Sequence, residues 1–131
     1  MLAQLTHGSD HHQGRLRSLE GIESLRRLEA LALNCCYKLE QIGSLPRLRH
    51  LSRLELIRCR KILDLAPIAK VPHLAELLLE DLGAIPSLAF LRGKRSLRAI
   101  RLPGTRIPYS EFDIVEHIQN SPRPLHFARR W

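Results

Sequence analysis

The chain repeats a pattern of apolar residues every 23 positions. A repeat this short is one supersecondary unit that cannot bury its own apolar side, so neighbouring units have to stack. The register therefore predicts at least four similar layers. Four columns of equivalent residues carry it: Leu28, Leu51, Leu74 and Leu97; Leu31, Leu54, Leu77 and Ile100; Leu33, Leu56, Leu79 and Leu102; Cys36, Cys59, Leu82 and Thr105.

Within each repeat the spacing of the apolar residues changes from two to three. In the segment LEALAL, Leu31 and Leu33 alternate with Ala30 and Ala32, which indicates a short strand with its leucines facing inward. A spacing of three suits tight 3₁₀ turns better than a long α-helix. Each repeat should thus give one strand of a parallel sheet and a return rich in turns. In the first complete repeat the residues with this wider spacing are Leu39, Ile42, Leu45 and Leu48.

Residues 16–107 resemble the leucine-rich repeat family, whose pattern LxxLxLxx(N/C)x(L/I) recurs at a period of about 20 to 29. The resemblance implies an α/β fold: a short horseshoe-shaped solenoid with a parallel sheet on the concave face and 3₁₀ turns on the convex side. The return that begins at Asp64 is similar to internalin-type bacterial repeats. Cys36 and Cys59 stand where the family often uses cysteine or asparagine to satisfy backbone groups as the strand ends.

The two ends of the chain depart from the repeat. Residues 1–15 are predicted to be a polar, disordered leader, because in the 23-residue register an earlier strand would read only Leu5, Gly8, Asp10 and Gln13.

Residues 108–131 should close the stack as a capping helix followed by a basic tail. We predict a helix from about 110 to 120, with Ser110 and Asp113 forming a capping box. The tail, RPLHFARRW, could fold back on this helix or contact a partner. The predicted apolar face of the helix comprises Phe112, Val115 and Ile118.

Exposed strand positions should form columns, because equivalent residues of neighbouring strands lie side by side. Arg53 then neighbours Glu76 on the surface, as Arg58 neighbours Asp81, and such exposed pairs contribute about 0–1 kcal/mol each. Apolar residues ringed by charges are typical of interaction hot spots. The predicted partner-binding residues, which we call the strand patch, are Glu55, Ile57, Arg58, Leu78, Glu80, Asp81 and Arg101.

The positive charge is concentrated elsewhere, just before the strands. The formal net charge is +8, and a stripe of cations at repeat spacing could follow a phosphate backbone, so the alternative function is binding of nucleic acid or another polyanion. The stripe lacks interleaved aromatic residues for base stacking, however, which favours an acidic protein as the partner. The residues of this basic edge are Arg47, Arg49, Lys70, Arg92, Lys94 and Arg95.

No pattern of catalytic residues is found. The seven glycines are dispersed, and neither HExxH nor GxSxG occurs. Three cysteines exclude a fully paired set of disulfides, and they lack the close spacing of a zinc site. His7, His11 and His12 with Asp10 could hold a metal loosely but fit a polar leader better. We expect no enzyme, cofactor or metal.

The predicted location is the cytoplasm. No apolar run approaches the roughly 18 residues of a membrane span, and the start of the chain turns polar too early for a secretory signal. We therefore expect no contact with a membrane. The predicted function is a non-catalytic protein-binding module that uses the concave face. Gly104–Ile107 and the terminal HFARRW are similar to the end of candidate immunity proteins from bacteria, which implies a toxin-neutralising or scaffold role.

Overall fold

The computed structural model describes residues 2–6 and 17–119. Strands β1, β2, β3, β4 and β6 form one parallel sheet in that order, while β5 and β7 pair in a second, two-stranded parallel sheet. The predicted α/β class, with a parallel sheet, 3₁₀ turns and a C-terminal helix, is confirmed. The elements are β1 (Leu2–Thr6), β2 (Ala30–Asn34), β3 (Arg53–Ile57), β4 (Glu76–Glu80), β5 (Gly83–Ala84), β6 (Ala99–Arg101), β7 (Thr105–Arg106) and α1 (Phe112–Gln119).

The register of the main sheet follows the sequence columns. Leu31 pairs with Leu54, Leu54 with Leu77, and Leu77 with Ile100. Residues 23 positions apart therefore lie side by side on adjacent strands. This confirms the predicted register from β2 to β6.

Strands β2, β3, β4 and β6 bury one face in the core, while on the other face Ala32, Glu76 and Ala99 are buried and the remaining residues are partly or fully exposed. On the core face, Leu54, Leu56, Leu77 and Leu79 are fully buried, whereas their alternate neighbours point to the opposite, outer face. The returns bury their own apolar residues against the same core, which extends from Leu19 to Ile118 as one cluster. These return residues include Leu39, Ile42, Leu45 and Leu48.

Short 3₁₀ turns form the returns, as the spacing of three predicted. They lie at Ile22–Ser24, Leu45–Arg47, Ala66–Lys70 and Ala89–Leu91, and consecutive turns contact one another. Proline stands in the first turn of the second and third of these segments, where the missing N–H costs little because that group lacks an intrahelical partner.

The first strand lies earlier in the chain than the 23-residue register places it. Leu2 of β1 pairs with Ala30 of β2, 28 residues further on, and Leu5 pairs with Leu33. A search at fixed period misses this strand, because the segment between β1 and β2 is longer than the later returns. The rest of the predicted leader, including the histidine cluster at residues 7–12, lies outside the described residues, as does the basic tail after residue 119.

In the main sheet, β2, β3 and β4 are each followed directly by a residue in the left-handed region. Cys35, Arg58 and Asp81 have φ values of 59°, 57° and 53°, and Gly104, their equivalent in the last repeat, has 66°. The amides of the first three still donate to the carbonyl of the next repeat at 2.8–2.9 Å. The left-handed residue thus turns the chain away from the sheet without interrupting the ladder, at a cost of roughly 1–2 kcal/mol for a residue other than glycine.

One residue further on, side chains satisfy buried carbonyl groups. The Cys59 thiol donates to the Leu33 carbonyl at 3.3 Å, and the Thr105 hydroxyl, in the same column, donates to the Leu79 carbonyl at 2.8 Å. The hydrogen bond to Cys59, together with burial, raises the pKa of Cys36. All three cysteines are free thiols. Cys36 and Cys59 therefore have the structural role that the repeat pattern implied.

The inward face of the C-terminal helix includes Val115 and Ile118, as predicted, but Ile114 takes the place of Phe112. Ile114 and Ile118 are the buried residues of α1, Val115 is half-buried, and Phe112 is 45% exposed. Ile114 and Ile118 are four positions apart and so share a helix face. Asp113 does not act as part of the predicted capping box; its carboxylate pairs with Arg92 at 3.0 Å.

Glu111 connects the start of this segment to the preceding repeat. Its carboxylate accepts the Leu88 amide at 2.6 Å and the Ser87 hydroxyl at 2.7 Å. These hydrogen bonds lower the pKa of Glu111, and the neighbouring Arg92 guanidinium lowers the pKa of Asp113. Because the folded state holds both carboxylates in their charged form, their contribution to stability is present at neutral pH and is lost as the pH falls below about 4.

We therefore expect Glu111→Gln to reduce the loss of stability on acidification. The variant should be less stable than the wild type at pH 7, and the difference should shrink at about pH 3, because the wild type loses the contribution of the charged carboxylate as the pH falls through the lowered pKa of Glu111. Urea unfolding followed by circular dichroism at the two pH values measures this. Glu116→Gln, at an exposed position on α1, is the control and should behave like the wild type. An equal deficit of Glu111→Gln at both pH values would contradict the assignment.

Candidate interaction surface

The outer face of the main sheet contains the predicted strand patch. Ile57 pairs with Glu80 across β3 and β4, and Leu78 lies between Glu55 and Arg101. Of these five residues, four are half-exposed and Arg101 is exposed. The structure thus brings the five strand residues of the patch together on one face.

Ile57 and Leu78 form the apolar centre of this face. They lie on adjacent strands and are offset by two residues along the strand direction, since Leu78 is opposite Glu55 rather than Ile57. Such diagonal neighbours are about 7–8 Å apart, which is within reach of long side chains. An apolar group from a partner could contact both side chains at once.

Arg53 joins two carboxylates beside this centre. Its Nε lies 3.4 Å from Glu55 Oε2 and 3.5 Å from Glu76 Oε2. The predicted proximity of Arg53 and Glu76 is confirmed, but the prediction that this pair is exposed is wrong, because Glu76 is only 2% exposed. A column of equivalent residues in the sequence predicts which side chains are neighbours, but it does not predict how much of each side chain is exposed to solvent. The Arg53–Glu76 pair is therefore largely withdrawn from solvent.

The other two patch residues, Arg58 and Asp81, lie at the ends of β3 and β4. Arg58 Nε is 3.4 Å from Asp81 Oδ2, as the columns predicted, and Arg60 Nε donates to the Asp81 carbonyl at 2.9 Å. The hydrogen bond to Asp81 raises the pKa of Arg58. Both side chains leave from left-handed backbone, so their direction could not be read from the alternation along the strand.

Tyr37 is a neighbour of the patch that the sequence reasoning missed. It is 47% exposed, and the hydrogen bond between its side chain and that of Cys35 raises the pKa of Tyr37. The Arg58 side chain is hydrogen-bonded to Cys35 as well, which links Tyr37 to the patch. Tyrosine is enriched at interfaces because it combines a large apolar area with a polar end. The available signal was an aromatic residue three positions after a strand in a chain with only 5% aromatic residues.

Three cations of the basic edge already have partners within the fold. Arg47 pairs with Glu23 at 3.4 Å, Arg92 pairs with Asp113, and Lys94 donates to the carbonyls of Ala69 and Val71. The other three residues of the edge are exposed: Arg49, Lys70 and Arg95. The six cations are therefore unequal, because a ligand would have to compete with these partners for Arg47, Arg92 and Lys94.

Lys94 occupies a position that is apolar in the earlier repeats. Val71 and Leu48, its equivalents one and two repeats before, are fully buried. The ammonium group of Lys94 lies among backbone carbonyls, with Nζ 2.5 Å from the Val71 oxygen and 3.1 Å from the Ala69 oxygen. Burial lowers the pKa of Lys94.

No protein-family model matches the chain, and no curated protein matches it. The resemblance to leucine-rich repeats therefore rests on the columns of the sequence. Within residues 2–6 and 17–119, no helix is long and apolar enough to cross a membrane.

Proposed function

We propose that this chain is a leucine-rich repeat protein that binds a protein partner through the outer face of its sheet and does not itself catalyse a reaction. The observation that carries the proposal is the half-exposed pair Ile57 and Leu78 at the centre of that face. Their strand neighbours on the core face are fully buried, so the core does not require these two apolar residues. Apolar side chains surrounded by charged ones are how interface centres are built.

The charges around this centre favour a partner of defined chemistry. Glu80 lies directly opposite Ile57, so a partner should bring an apolar side chain to the centre and a lysine or arginine next to Glu80. Arg101 lies opposite Leu78 on the neighbouring strand β6 and would pair with an acidic group of the partner. Complementary charges of this kind contribute mainly to specificity and to the rate of association.

The geometry of the patch reduces the cost of binding. The side chains of Arg58 and Asp81 already form an ion pair, and their amides donate to backbone carbonyls, so both residues lose less freedom when the partner arrives. The exposed cations Arg49, Lys70 and Arg95 would attract a partner that carries acidic groups where it faces the basic edge. Neutralisation of a toxin by covering its surface is one function of this kind, and it stays a prediction.

The proposal is tested by affinity capture with two matched variants. Leu78→Arg places a charge in the apolar centre, while Leu63→Arg makes the same change at a leucine that is 89% exposed between β3 and the following 3₁₀ turn. We expect one protein to be retained by the wild type and by Leu63→Arg at both low and high salt. Leu78→Arg should retain at least tenfold less of it, since an unpaired charge in an interface centre costs more than 1.4 kcal/mol.

Two outcomes would contradict the proposal. Equal retention by both variants would place the binding surface elsewhere. Retention of nucleic acid alone, lost from all three proteins when the salt concentration is raised, would indicate the polyanion-binding alternative, because binding to phosphates weakens steeply with salt.

A further inference from the structure

A second feature, separate from the strand patch, lies at the C-terminal end of the fold. A cavity of about 740 Å³ opens between α1 and the segment 91–98 that leads into β6. This volume falls within the range of about 300–1,000 Å³ that is typical of small-molecule sites. The strand patch contributes none of the residues that line it.

The floor of the cavity is apolar. Leu91 and Leu97 come from the segment before β6, and Ile114 and Ile118 come from α1. All four are buried members of the core. A ligand seated here would therefore contact aliphatic side chains at its inner end.

The walls and mouth of the cavity are basic. Arg92, Lys94, Arg95 and Arg98 all line it, against a single carboxylate, Asp113. Four basic residues against one carboxylate give the lining an excess of positive charge, even though Asp113 pairs with Arg92 at the surface. Their combined charge favours an anion over a neutral or cationic ligand.

Lys94 is the residue that makes this cavity unlike the rest of the stack. Leucine and valine fill its position in the two preceding repeats, and both are fully buried. The equivalent 3₁₀ turn Leu45–Arg47 forms although the residue that corresponds to Lys94 one repeat earlier is Val71, so turn geometry alone does not require the ammonium group. Departures from a local rule of the fold are expected where a sequence serves a function.

From this arrangement we propose that the cavity binds a small amphipathic anion, namely an oxyanion group, carboxylate or phosphate, on an apolar stem. The stem lies on the floor formed by Leu97 and Ile118. The oxyanion lies beside Arg95, whose exposed guanidinium group can donate to it. Guanidinium groups suit this task because their fixed N–H donors match the geometry of carboxylate and phosphate oxygens.

Titrations followed by backbone amide NMR test this inference on the whole chain. The probes are phenyl phosphate, phenylacetate, inorganic phosphate and benzyl alcohol. We expect phenyl phosphate or phenylacetate to shift the amides of Gly93, Arg95 and His117 saturably. Inorganic phosphate, which lacks the stem, and benzyl alcohol, which lacks the charge, should each bind at least tenfold more weakly. Comparison of the two aromatic anions shows which oxyanion is preferred.

Arg95→Gln and Arg49→Gln provide the matched variants. Arg49 is the equivalent of Arg95 two repeats earlier and is also exposed, but it does not line the cavity. We expect Arg95→Gln to weaken binding of the aromatic anion about tenfold, as loss of a charge-assisted hydrogen bond does, and Arg49→Gln to leave it unchanged. Equal weakening by both, or equal binding of phenyl phosphate and inorganic phosphate, would overturn the proposal in favour of diffuse attraction to the basic edge. Absence of saturable binding would overturn it outright.

Discussion

Leu77→Ala should lower the free energy of unfolding by about 3 kcal/mol, whereas Leu78→Ala should lower it by about 1 kcal/mol or less. The two leucines are neighbours on β4, but Leu77 is fully buried on the core face and Leu78 is half-exposed on the outer face. Removal of the Leu77 side chain leaves a cavity between the sheet and the returns. Removal of the Leu78 side chain only exposes its surroundings to water.

Equilibrium unfolding in urea measures both variants under the same conditions. Leu54→Ala, at the position that pairs with Leu77 on β3, should resemble Leu77→Ala and serves as a positive control. If Leu78→Ala were as costly as Leu77→Ala, the outer face would be covered, because a sheet with one free face distinguishes alternate residues.

Glu76→Ala should lower the free energy of unfolding by about 2–3 kcal/mol, the largest effect we expect from any charged residue. Glu76 is 2% exposed and lies 3.5 Å from Arg53. Breaking a buried ion pair usually costs about 3–5 kcal/mol, because the remaining charge stays without its partner. The cost should be smaller here, since the Arg53 side chain is 26% exposed and keeps Glu55 as a second partner.

Glu80→Ala is the matched control for this prediction. Glu80 is the other glutamate on the outer face of β4 and is half-exposed, so its removal should change stability by about 0.5 kcal/mol or less. The double variant Arg53→Met/Glu76→Leu removes both charges of the buried pair and should recover most of the lost stability. A loss from Glu76→Ala no greater than that from Glu80→Ala would show that the Arg53–Glu76 pair does not stabilise the fold.

Much of the fold could be predicted because the repeat carries the same information four times. The columns of Leu31 and Leu33 fix the strand positions, the buried face and the register, and the spacing of three predicts the 3₁₀ returns. The ion-pair neighbours Arg53 with Glu76 and Arg58 with Asp81 follow from the same register. These features depend on periodicity, which a sequence shows directly.

The features that could not be predicted depend on single residues and on the ends. Burial of Glu76 depends on how its neighbours pack over it. The left-handed backbone at Cys35, Arg58 and Asp81 occurs at residues other than glycine, so the sequence does not indicate it. The strand β1 lies outside the common period. At the C-terminus, α1 is too short for its spacing alone to decide between Ile114 and Phe112 as the inward residue.

The cavity at the C-terminal end belongs to this second group. It exists because α1 takes the place of a further repeat, and its lining comes from two segments that the repeat pattern treats separately. The lysine at position 94 was visible in the sequence as a departure from the apolar column of Leu48 and Val71. That Lys94 lines a cavity could be recognised only from the position of α1 in the structure.

Site-specific photo-cross-linking in the native cell tests most directly whether the outer face of the sheet is the binding surface. A photo-reactive phenylalanine analogue is placed, one position at a time, at Ile57 on the outer face, at Leu63 before the third 3₁₀ turn, and at Arg49 on the basic edge. We expect one prominent protein adduct from position 57 and none from position 63, since an adduct forms only where a partner lies against the residue. A protein adduct from position 63 or 49 with none from position 57 would contradict binding through the outer face.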